Sequence, residues 1–459
     1  MKEKALNNRG YPLLLPFKWS FPEGYERLSL DVLETALNHI DAYRSWRRFD
    51  PGKEYPVDMR YAVMPVLTKN DIRAHFPQGL LPQDRDVNSG LAVGKIEFVK
   101  TSGTVGQSVT NIWNQEWWDA SERASWKLNS YATRIATGSH REAILVSPLN
   151  VGVVSDSVEL PMEKRRLARF LFLNEKSNTL SWTSEHMDRI ISELEWFRPE
   201  VLEANPSLLA KLSRYVVAND KRVFQPRLIV FTYEYPTRFH YRQIRRVFDV
   251  PMASSYGATE VGYVFMQCEE GKFHQNSEFC RVDFQPLKPE HGGPFLGRLL
   301  VTTFNNPWYH MVRFDVGDLI RVDEQGSCSC GRKTGFILSA VEGRATNATL
   351  TCEGRLVTLR ELDTALSVLE DADEYQLRQV SNDSYQLRLV SQGEDKRGLK
   401  KEAREVLTKL YGEEAKVSIV FEEAIAPEIS GKYSVAGTTF PLEMENFLDE
   451  RYTYRRKAL

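Results

Sequence analysis

Apolar runs of strand length alternate with longer amphipathic segments through the middle of the chain. Ala143–Ser147, Val201–Ala204 and Arg227–Thr232 are short apolar runs, whereas Met187–Phe197 and Leu208–Val217 carry their apolar residues at helical spacing. Short apolar runs between helices are typical of parallel strands that are buried on both faces. The pattern therefore predicts an α/β fold with a largely parallel sheet, in which ligands bind at the carboxyl ends of the strands.

The last part of the chain has a pattern of its own. Two strand-like runs, Tyr375–Val380 and Tyr385–Val390, flank a turn of small polar residues, as in a hairpin. Lys396–Tyr411 has the spacing of a charged amphipathic helix, and Val417–Phe421 has the composition of another strand. We therefore expect the region Ala345–Leu459 to form a separate small α/β domain.

Composition excludes several classes of protein. The chain has 459 residues, with 60 Lys and Arg against 62 Asp and Glu, which leaves a net charge of −2. This balance argues against electrostatic binding to nucleic acid or to anionic lipid. The residues Met1–Gly10 lack an apolar signal core, and no run approaches the ~18 apolar residues that a membrane helix needs. Five cysteines do not make a disulfide scaffold in so long a chain, so we expect a cytoplasmic enzyme of two or more domains.

A loop that contains two glycines, Lys100–Gln107 (KTSGTVGQ), lies between two strand-like runs, Lys95–Val99 and Val109–Trp113. Gly103 and Gly106 allow positive φ, so the N–H groups of the loop can turn toward an anion. The hydroxyl groups in or beside the loop are those of Thr101, Ser102, Thr104 and Ser108. Such groups suit the oxygens of a polyphosphate. The alternative is an ordinary turn, because Thr, Ser and Gly are common turn residues.

A second candidate segment, Ser254–Glu260 (SSYGATE), follows what reads as the end of a strand near residues 250–253. The ring of Tyr256 can stack on a nucleobase or form the wall of a pocket, and Gly257 permits close approach of a backbone. The carboxylate of Glu260 could hold a divalent cation beside phosphates. The alternative is an ordinary loop with a glutamate on the surface.

A third segment, Arg313–Leu319 (RFDVGDL), supplies two carboxylates after a strand-like run. Asp318 is expected at the end of a loop, where a carboxylate can accept both hydroxyls of a ribose, as acidic residues do in other nucleotide sites. Asp315 is the alternative on composition alone.

Cysteine and histidine residues suggest a metal site. Cys268, His274, Cys328 and Cys330 would provide three thiolates and one imidazole, which suits tetrahedral Zn²⁺. Four protein ligands would close the site, so the metal would be structural. Cys280 could replace one of these ligands, and the alternative is a set of inert free cysteines.

Six motifs occur in the order in which a known family has them: KTSGTVGQ, SSYGATEVG, RFDVGDL, CSCGR, VEGRATN and SGKYSVA. With these motifs, the chain between about Leu67 and Lys432 resembles the adenylate-forming superfamily of acyl-CoA synthetases, most closely its phenylacetate-CoA ligase branch. The resemblance implies a large multi-sheet N-terminal adenylation domain, residues 1–343, and a small mobile α/β C-terminal domain, residues 344–459.

The resemblance also implies a role for each matched residue. The loop residues that would hold the β- and γ-phosphates of ATP are Thr101, Ser102, Gly103, Thr104 and Gly106. In the next motif, Tyr256 and Gly257 would flank the adenine and the acyl group. Thr259 would lie near the α-phosphate, and Glu260 would bind Mg²⁺. Glu234 would lie on the adenine side, and Asp318 would bind the ribose hydroxyls. Arg344 would lead into the hinge. Lys432 would lie on a mobile loop that enters the site during adenylation.

The implied reaction makes an acyl-AMP from a carboxylic acid and ATP, releases pyrophosphate and passes the acyl group to coenzyme A. Aromatic residues near the expected pocket, Phe231, Tyr233 and Tyr256, favour an aryl or other flat apolar acid. Two departures from the family motifs, Gln107 in place of a basic residue and Ala345–Asn347 in place of acidic hinge residues, leave alternatives open. These are delivery to a carrier protein or an amine, and a non-catalytic nucleotide-binding scaffold. A homodimer is the commonest assembly for such a chain.

Overall fold

The structure is a computed structural model that describes residues 19–101, 108–136, 138–428 and 433–452. The chain divides into two compact units by its internal contacts. Unit 1 comprises residues 1–129, 256–341 and 443–459, and unit 2 comprises residues 130–255 and 342–442. Both are mixtures of helices and strands, so the predicted α/β class is confirmed. Among the residues that the structure describes, no helix is both long and apolar enough to cross a membrane.

The core of unit 1 is a set of antiparallel strands. In the sequence they follow a short hairpin that carries the predicted phosphate loop. The hairpin pairs Glu97–Lys100 with Thr110–Trp113, close to the runs predicted from the sequence. The other strands of this unit are Gly262–Gln267, Phe273–Gln275, Cys280–Pro286, Leu296–Thr303, Phe314–Val322 and most of Ile337–Arg344. Its helices are Tyr25–His39, Val57–Val63, Lys69–His75, Val87–Ala92 and Gln115–Trp126.

The segment that contains Lys69 is fixed to the strand that carries Asp318. Leu67 forms a bridge with Phe314. The N–H of Leu67 donates to the carbonyl of Arg313 at 3.1 Å, and the N–H of Asp315 donates to the carbonyl of Leu67 at 2.9 Å. Thr68 then caps the helix Lys69–His75 with a complete capping box, in which the side chain of Asp71 returns to the backbone of Thr68. The start of this helix is therefore held in two ways, by the backbone bonds between Leu67 and the neighbouring strand and by the capping box at Thr68.

Unit 2 contains the parallel sheet that the apolar runs predict. Its strands Phe170–Phe172, Glu142–Leu145, Val201–Ala204, Leu228–Phe231 and the first half of Met252–Ala258 are paired in parallel in this order. A short strand, Arg166–Leu167, adds antiparallel to Phe170–Phe172. The helices around these strands are Ser130–Ile135, Pro148–Val151, Met162–Arg165, Ser184–Phe197, Pro206–Ala218 and Arg238–Arg245.

Residues 342–442 add a smaller sheet to the same unit. Four strands are paired in the order Lys416–Glu422, Ser384–Val390, Glu374–Ser381 and Ala436–Thr438, and the second and third form the predicted hairpin. The helices Leu359–Leu366 and Lys396–Tyr411 accompany this sheet, and the pair Thr349–Leu350 and Leu356–Val357 precedes it. The boundary at residues 343 and 344 stays a prediction, because the contacts group residues 342–442 with 130–255.

Phe239 joins the core of the smaller sheet although it lies more than 100 positions before that sheet in the sequence. Its side chain is 1% exposed and its ring lies 5.0 Å from the ring of Tyr375. The helix Arg238–Arg245 presents this ring after a capping box at Thr237. Burial of so large a side chain contributes stability through apolar area removed from water.

We predict that Phe239→Ala destabilises unit 2 by about 3 kcal/mol, because it leaves a cavity in a packed core. The measurement is the urea midpoint of unfolding. Trp196→Ala is the control, since Trp196 is 60% exposed and its loss should change stability by less than about 1 kcal/mol. Equal shifts for the two variants would contradict the packing role of Phe239.

Candidate functional site

Two of the predicted nucleotide residues touch in unit 1. The hydroxyl of Tyr256 donates a hydrogen bond to Oδ2 of Asp318 at 2.8 Å, and Asp318 is 8% exposed. The strands Met252–Ala258 and Phe314–Val322 supply these side chains, although the residues are 62 positions apart in the sequence. The aromatic ring and the carboxylate are thus held at one point, as a nucleoside site requires.

The backbone around Asp318 differs from the expectation. We expected Asp318 at the end of a loop, but it lies inside the strand Phe314–Val322. The pairing with the neighbouring strand is irregular there, because Arg298 faces Leu319 whereas Leu300 faces Asp315. Such a bulge re-aims a side chain without ending the strand, and apolar alternation alone does not reveal it.

Asp315, the alternative to Asp318, is already engaged. Its Oδ1 accepts the N–H of Gly317 at 2.8 Å, and its Oδ2 lies 3.2 Å from the guanidinium of Arg298. Burial raises the pKa of the Asp315 carboxyl, while the charge of Arg298 opposes that shift. Both carboxylate oxygens of Asp315 therefore already have partners within the protein.

Glu260 lies in the tight turn that follows Tyr256, not in an extended loop. The turn joins the strands Met252–Ala258 and Gly262–Gln267, and Val261 N–H closes it on the carbonyl of Ala258 at 3.0 Å. Thr259 is in the same turn. Glu260 is 5% exposed, and its Oε1 has no hydrogen-bond partner among the described residues. A buried carboxylate oxygen in this state fits a divalent cation, so the residue present suits the expected magnesium.

Lys69 is a residue of this site that the sequence did not single out. Its Nζ lies 3.7 Å from Oε1 of Glu260, and its side chain is 25% exposed. A lysine 191 positions before its carboxylate gives no local signal in the sequence.

The phosphate loop is described only at its edges. Thr101 donates its N–H to the carbonyl of Val109 at 2.9 Å, and its Oγ1 accepts the N–H of Val109 at 2.9 Å. These two bonds close the base of the hairpin, so the Thr101 hydroxyl is partly used by the backbone. The loop residues Ser102, Gly103, Thr104 and Gly106 lie outside the described residues, as does Lys432.

Glu234 and its surroundings belong to unit 2. Its Oε2 accepts the hydroxyl of Ser207 at 2.5 Å, and its Oε1 accepts the backbone N–H of Tyr433 at 3.3 Å. Tyr433 follows Lys432 directly, so Glu234 contacts the far end of the loop that carries the predicted lysine. Ser207 and Tyr433 were not singled out from the sequence. Arg344 ends the strand Ile337–Arg344, next to the predicted hinge.

The four predicted zinc ligands come together in unit 1. One ligand atom from each of Cys268, His274, Cys328 and Cys330 lies within 4.8 Å of all the others. The Sγ atoms of Cys268 and Cys328 are 3.7 Å apart, and Sγ of Cys330 lies 3.3 Å from Nε2 of His274. Cys280 is not in this cluster, since its buried thiol donates to the carbonyl of Asn276 at 3.4 Å.

The electrostatics of the cluster favour a neutral imidazole. Burial, with help from the charge of Arg332, lowers the pKa of His274 to about 4, so its ring is unprotonated at neutral pH. Burial raises the pKa of the Cys268 thiol to about 12. Burial also opposes ionisation of Cys330, but hydrogen bonds from Arg332 outweigh it and lower the pKa of that thiol.

Comparison with known proteins gives one sequence relative and several solved structures. No family model matches the chain. Protein CapK of Staphylococcus aureus is 22% identical over 379 residues, which cover 80% of this chain and 78% of CapK.

The solved structures of 2-hydroxyisobutyryl-CoA ligase match nearly the whole chain. The postadenylation state in complex with 2-HIB-AMP superposes with a TM-score of 0.64 and 17% identity, over 90% of this chain and 91% of that one. The chain therefore shares the fold of this ligase. An open conformation of the same ligase, in complex with 2-HIB-AMP and CoA, gives a TM-score of 0.54 and 16% identity over 94% and 95% of the two chains.

The backbone of the protein itself requires a glycine at position 257. A Cβ added at Gly257 would lie 2.4 Å from the carbonyl oxygen of Gly262, on the strand that follows the Glu260 turn. From the sequence we expected Gly257 to permit the close approach of a backbone. In the structure, the backbone that approaches it is the neighbouring strand of the same protein.

We predict that Gly257→Ala lowers the free energy of unfolding by about 2 kcal/mol, because the methyl group forces the two strands apart. Thermal unfolding of the variant measures this. Gly393→Ala is the control, since its added Cβ would first meet the flexible hydroxyl of Ser391 at 3.3 Å. A Gly257→Ala protein as stable as the control would contradict the close approach.

Proposed function

We propose that the protein is an AMP-forming ligase that activates a carboxylic acid with ATP and transfers the acyl group to coenzyme A. The observation that carries this proposal is the hydrogen bond from Tyr256 to Asp318, which joins two motifs of the resemblance at one point. The adenylate-forming fold over nine-tenths of the chain supports it. Within the superfamily, the order of the six motifs favours the phenylacetate-CoA ligase branch.

In the first half-reaction, an oxygen of the carboxylate attacks the α-phosphorus of ATP. The bond from that phosphorus to the bridging oxygen breaks, and pyrophosphate leaves with the electron pair. The protein has little covalent work in such a step beyond holding the groups in line and neutralising charge.

Each candidate residue has one task in this step. Asp318 binds the ribose hydroxyls, the ring of Tyr256 lies beside the adenine, and Thr259 is near the α-phosphate. Glu260 would hold Mg²⁺, which supplies positive charge to the phosphates when bound. Lys432 adds an ammonium from its loop.

The remaining residues hold the nucleotide. Donors from the loop that contains Thr101, Ser102, Gly103, Thr104 and Gly106 cradle the departing pyrophosphate. Glu234 lies on the adenine side, and Arg344 leads into the small C-terminal domain that starts at residue 344.

The second half-reaction has a competing interpretation. The expected acidic hinge residues are replaced by Ala345–Asn347, which form a single 3₁₀ turn. A carrier protein or an amine is therefore the second candidate acceptor, and a coenzyme A saturation assay separates it from the first. An acyl-hydroxamate trap that works while coenzyme A is not consumed would favour the second.

The burial of one aromatic residue weakens the argument for an aryl acid that the sequence analysis based on Phe231, Tyr233 and Tyr256. Phe231 is 1% exposed and packs edge to face on Tyr241, with ring centroids 5.2 Å apart. It is therefore part of the core of unit 2, and only Tyr233 and Tyr256 remain as aromatic candidates. We accordingly propose the reaction without an aryl side chain on the acid.

For the cluster in unit 1 we propose a structural zinc ion. Three sulfur atoms and one imidazole nitrogen within 4.8 Å match its preferred donors and number, and four protein ligands leave no open position for catalysis. The ion would fix the turn after Cys268 to the turn at Cys328–Cys330.

We predict that the purified protein contains about one zinc per chain and that Cys330→Ser loses most of it, because the site is left with three strong ligands. Metal analysis by mass spectrometry measures the content. Cys280→Ser is the matched control and should keep its zinc. Zinc-free wild-type protein after growth in zinc-supplemented medium would contradict the proposal.

We predict that Lys432→Ala lowers ATP-dependent pyrophosphate release about a hundredfold, since one positive contact to the developing charge is removed. Lys416→Ala is the control, because Lys416 is an exposed lysine of the same region, paired with Asp383 at 2.5 Å. Asp318→Ala should instead weaken ATP binding, measured by calorimetry. Full activity of the Lys432→Ala protein would contradict the role of Lys432, whereas a wild-type protein that binds ATP but releases no pyrophosphate with any acid would favour the non-catalytic scaffold.

A further inference from the structure

Three polar side chains that follow strands of the parallel sheet in unit 2 have buried atoms without a hydrogen-bond partner. Ser147 comes two positions after Glu142–Leu145, and Asn205 follows Val201–Ala204 directly. Asn150 lies in the single helical turn that begins after Ser147. In the described part of the chain, Oγ of Ser147, Nδ2 of Asn205 and both amide atoms of Asn150 have no hydrogen-bond partner.

These side chains form one cluster. The backbone N–H of Ser147 donates to Oδ1 of Asn205 at 3.2 Å, and the N–H of Asn150 donates to the carbonyl of Ser147 at 2.9 Å. Ser147 is 3% exposed and Asn205 is fully buried. Asn205 occupies the N-cap of the helix Pro206–Ala218, yet in the described structure its side chain does not cap that helix.

Such a cluster is unfavourable for folding alone. A buried donor or acceptor that has lost its water without gaining a partner costs free energy, and most native side chains avoid this. By contrast, the neighbouring Asn174 is satisfied, because its amide donates to the carbonyls of Val146 and Lys176. Unpaired buried atoms occur elsewhere in unit 2, as at Glu175 and Trp182, but those of Ser147, Asn150 and Asn205 lie together after neighbouring parallel strands.

The chemistry of the cluster selects a neutral, hydrogen-bonding ligand group. Its unpaired atoms include hydroxyl and amide donors together with hydroxyl and amide acceptors, and none of the three side chains carries a charge. A hydroxyl group of a ligand both donates and accepts, so it can satisfy both kinds of atom. A hydrocarbon would leave them unpaired.

Access to the cluster involves the short turn that carries Asn150. The turn Pro148–Val151 ends at Gly152, which has a φ of 74°, and Leu149 on the turn is 43% exposed. Because the unpaired atoms are shielded from water in this structure, a ligand reaches them through a shift of a neighbouring segment. A single turn with an exposed apolar side chain has little packing to hold it.

We propose that Ser147, Asn150 and Asn205 bind a hydroxyl group on the acyl part of the substrate, so that the acid activated is a hydroxylated carboxylic acid. This inference rests on the proposed ligase function and names the class of its acid. Ligands of parallel sheets bind outside the carboxyl ends of the strands, which is where this cluster lies.

The first test compares matched acids in the pyrophosphate release assay. The pairs are 3-hydroxybutyrate with butyrate, 2-hydroxyisobutyrate with isobutyrate and 4-hydroxybenzoate with benzoate. We expect the best substrate to be a hydroxylated acid, preferred at least about tenfold in kcat/KM over its partner, because a site built for a hydroxyl rejects the analogue that lacks it. Preference for the unsubstituted member of every active pair overturns the inference but leaves the ligase function standing.

The second test uses Ser147→Ala, with Ser213→Ala as its matched control. Ser213 is equally buried in unit 2, but its hydroxyl donates to the carbonyl of Leu209 at 2.7 Å. Removal of an unpaired hydroxyl should leave the thermal midpoint of the ligand-free protein unchanged or raise it, whereas the control should lose about 2 °C. Ser147→Ala should also reduce the preference for the hydroxylated acid at least about fivefold, and the control should not.

The outcomes separate the two proposals. If no acid releases pyrophosphate, the ligase function falls and this inference falls with it. If acids are activated but Ser147→Ala neither keeps its stability nor changes the preference, the three side chains are structural and the inference alone is wrong. A Ser147→Ala protein that keeps its thermal midpoint and shows a reduced preference for the hydroxylated acid supports the inference.

Discussion

Parallel pairing brings the carboxyl ends of Glu142–Leu145, Val201–Ala204 and Leu228–Phe231 to the same edge of the sheet in unit 2. The side chains within these strands are all buried and, apart from Glu142 and Glu203, they are apolar and form the core. Polar residues are consequently found just after each strand, as Ser147, Asn205 and Glu234 are. The register of the strands then decides which of these residues become neighbours, and it does so before any ligand is present.

This constraint explains which parts of the molecule could be predicted from the sequence. Apolar runs bounded by helices located the parallel strands, and the hairpin and helix of the smaller sheet were found nearly at their observed bounds, with Lys396–Tyr411 unchanged. The family resemblance assigned Tyr256 and Asp318 to the same nucleotide site, and in the structure their side chains touch although they lie 62 positions apart. The four zinc-type ligands were also identified in advance, because thiolate and imidazole side chains are rare enough in this chain to be noticed.

The rest of the site depends on contacts that leave no local pattern. Lys69 reaches Glu260, and Ser207 reaches Glu234, only because the fold brings distant segments together. The bulge that aims Asp318 is an irregularity between two strands, and each strand alone has an ordinary sequence. Phe231 shows the opposite error. Its aromatic character suggested a pocket wall, but the same character makes it a good core residue, and burial decides between the two.

Buried polar groups without a hydrogen-bond partner can indicate where a ligand binds. Apolar side chains of similar size at Ser147 and Asn150 would remove a cost to folding, since those side chains make no hydrogen bond within the described structure. A natural chain need only remain above a threshold of stability, so it can keep unfavourable groups where a ligand uses them. Glu260 is a related case with a charge, because its Oε1 makes no hydrogen bond within the described structure and lies 3.7 Å from the ammonium of Lys69. At both places the described structure leaves buried polar atoms without a hydrogen bond, and we propose that a bound cation and a hydroxyl group of the acid would supply the missing partners.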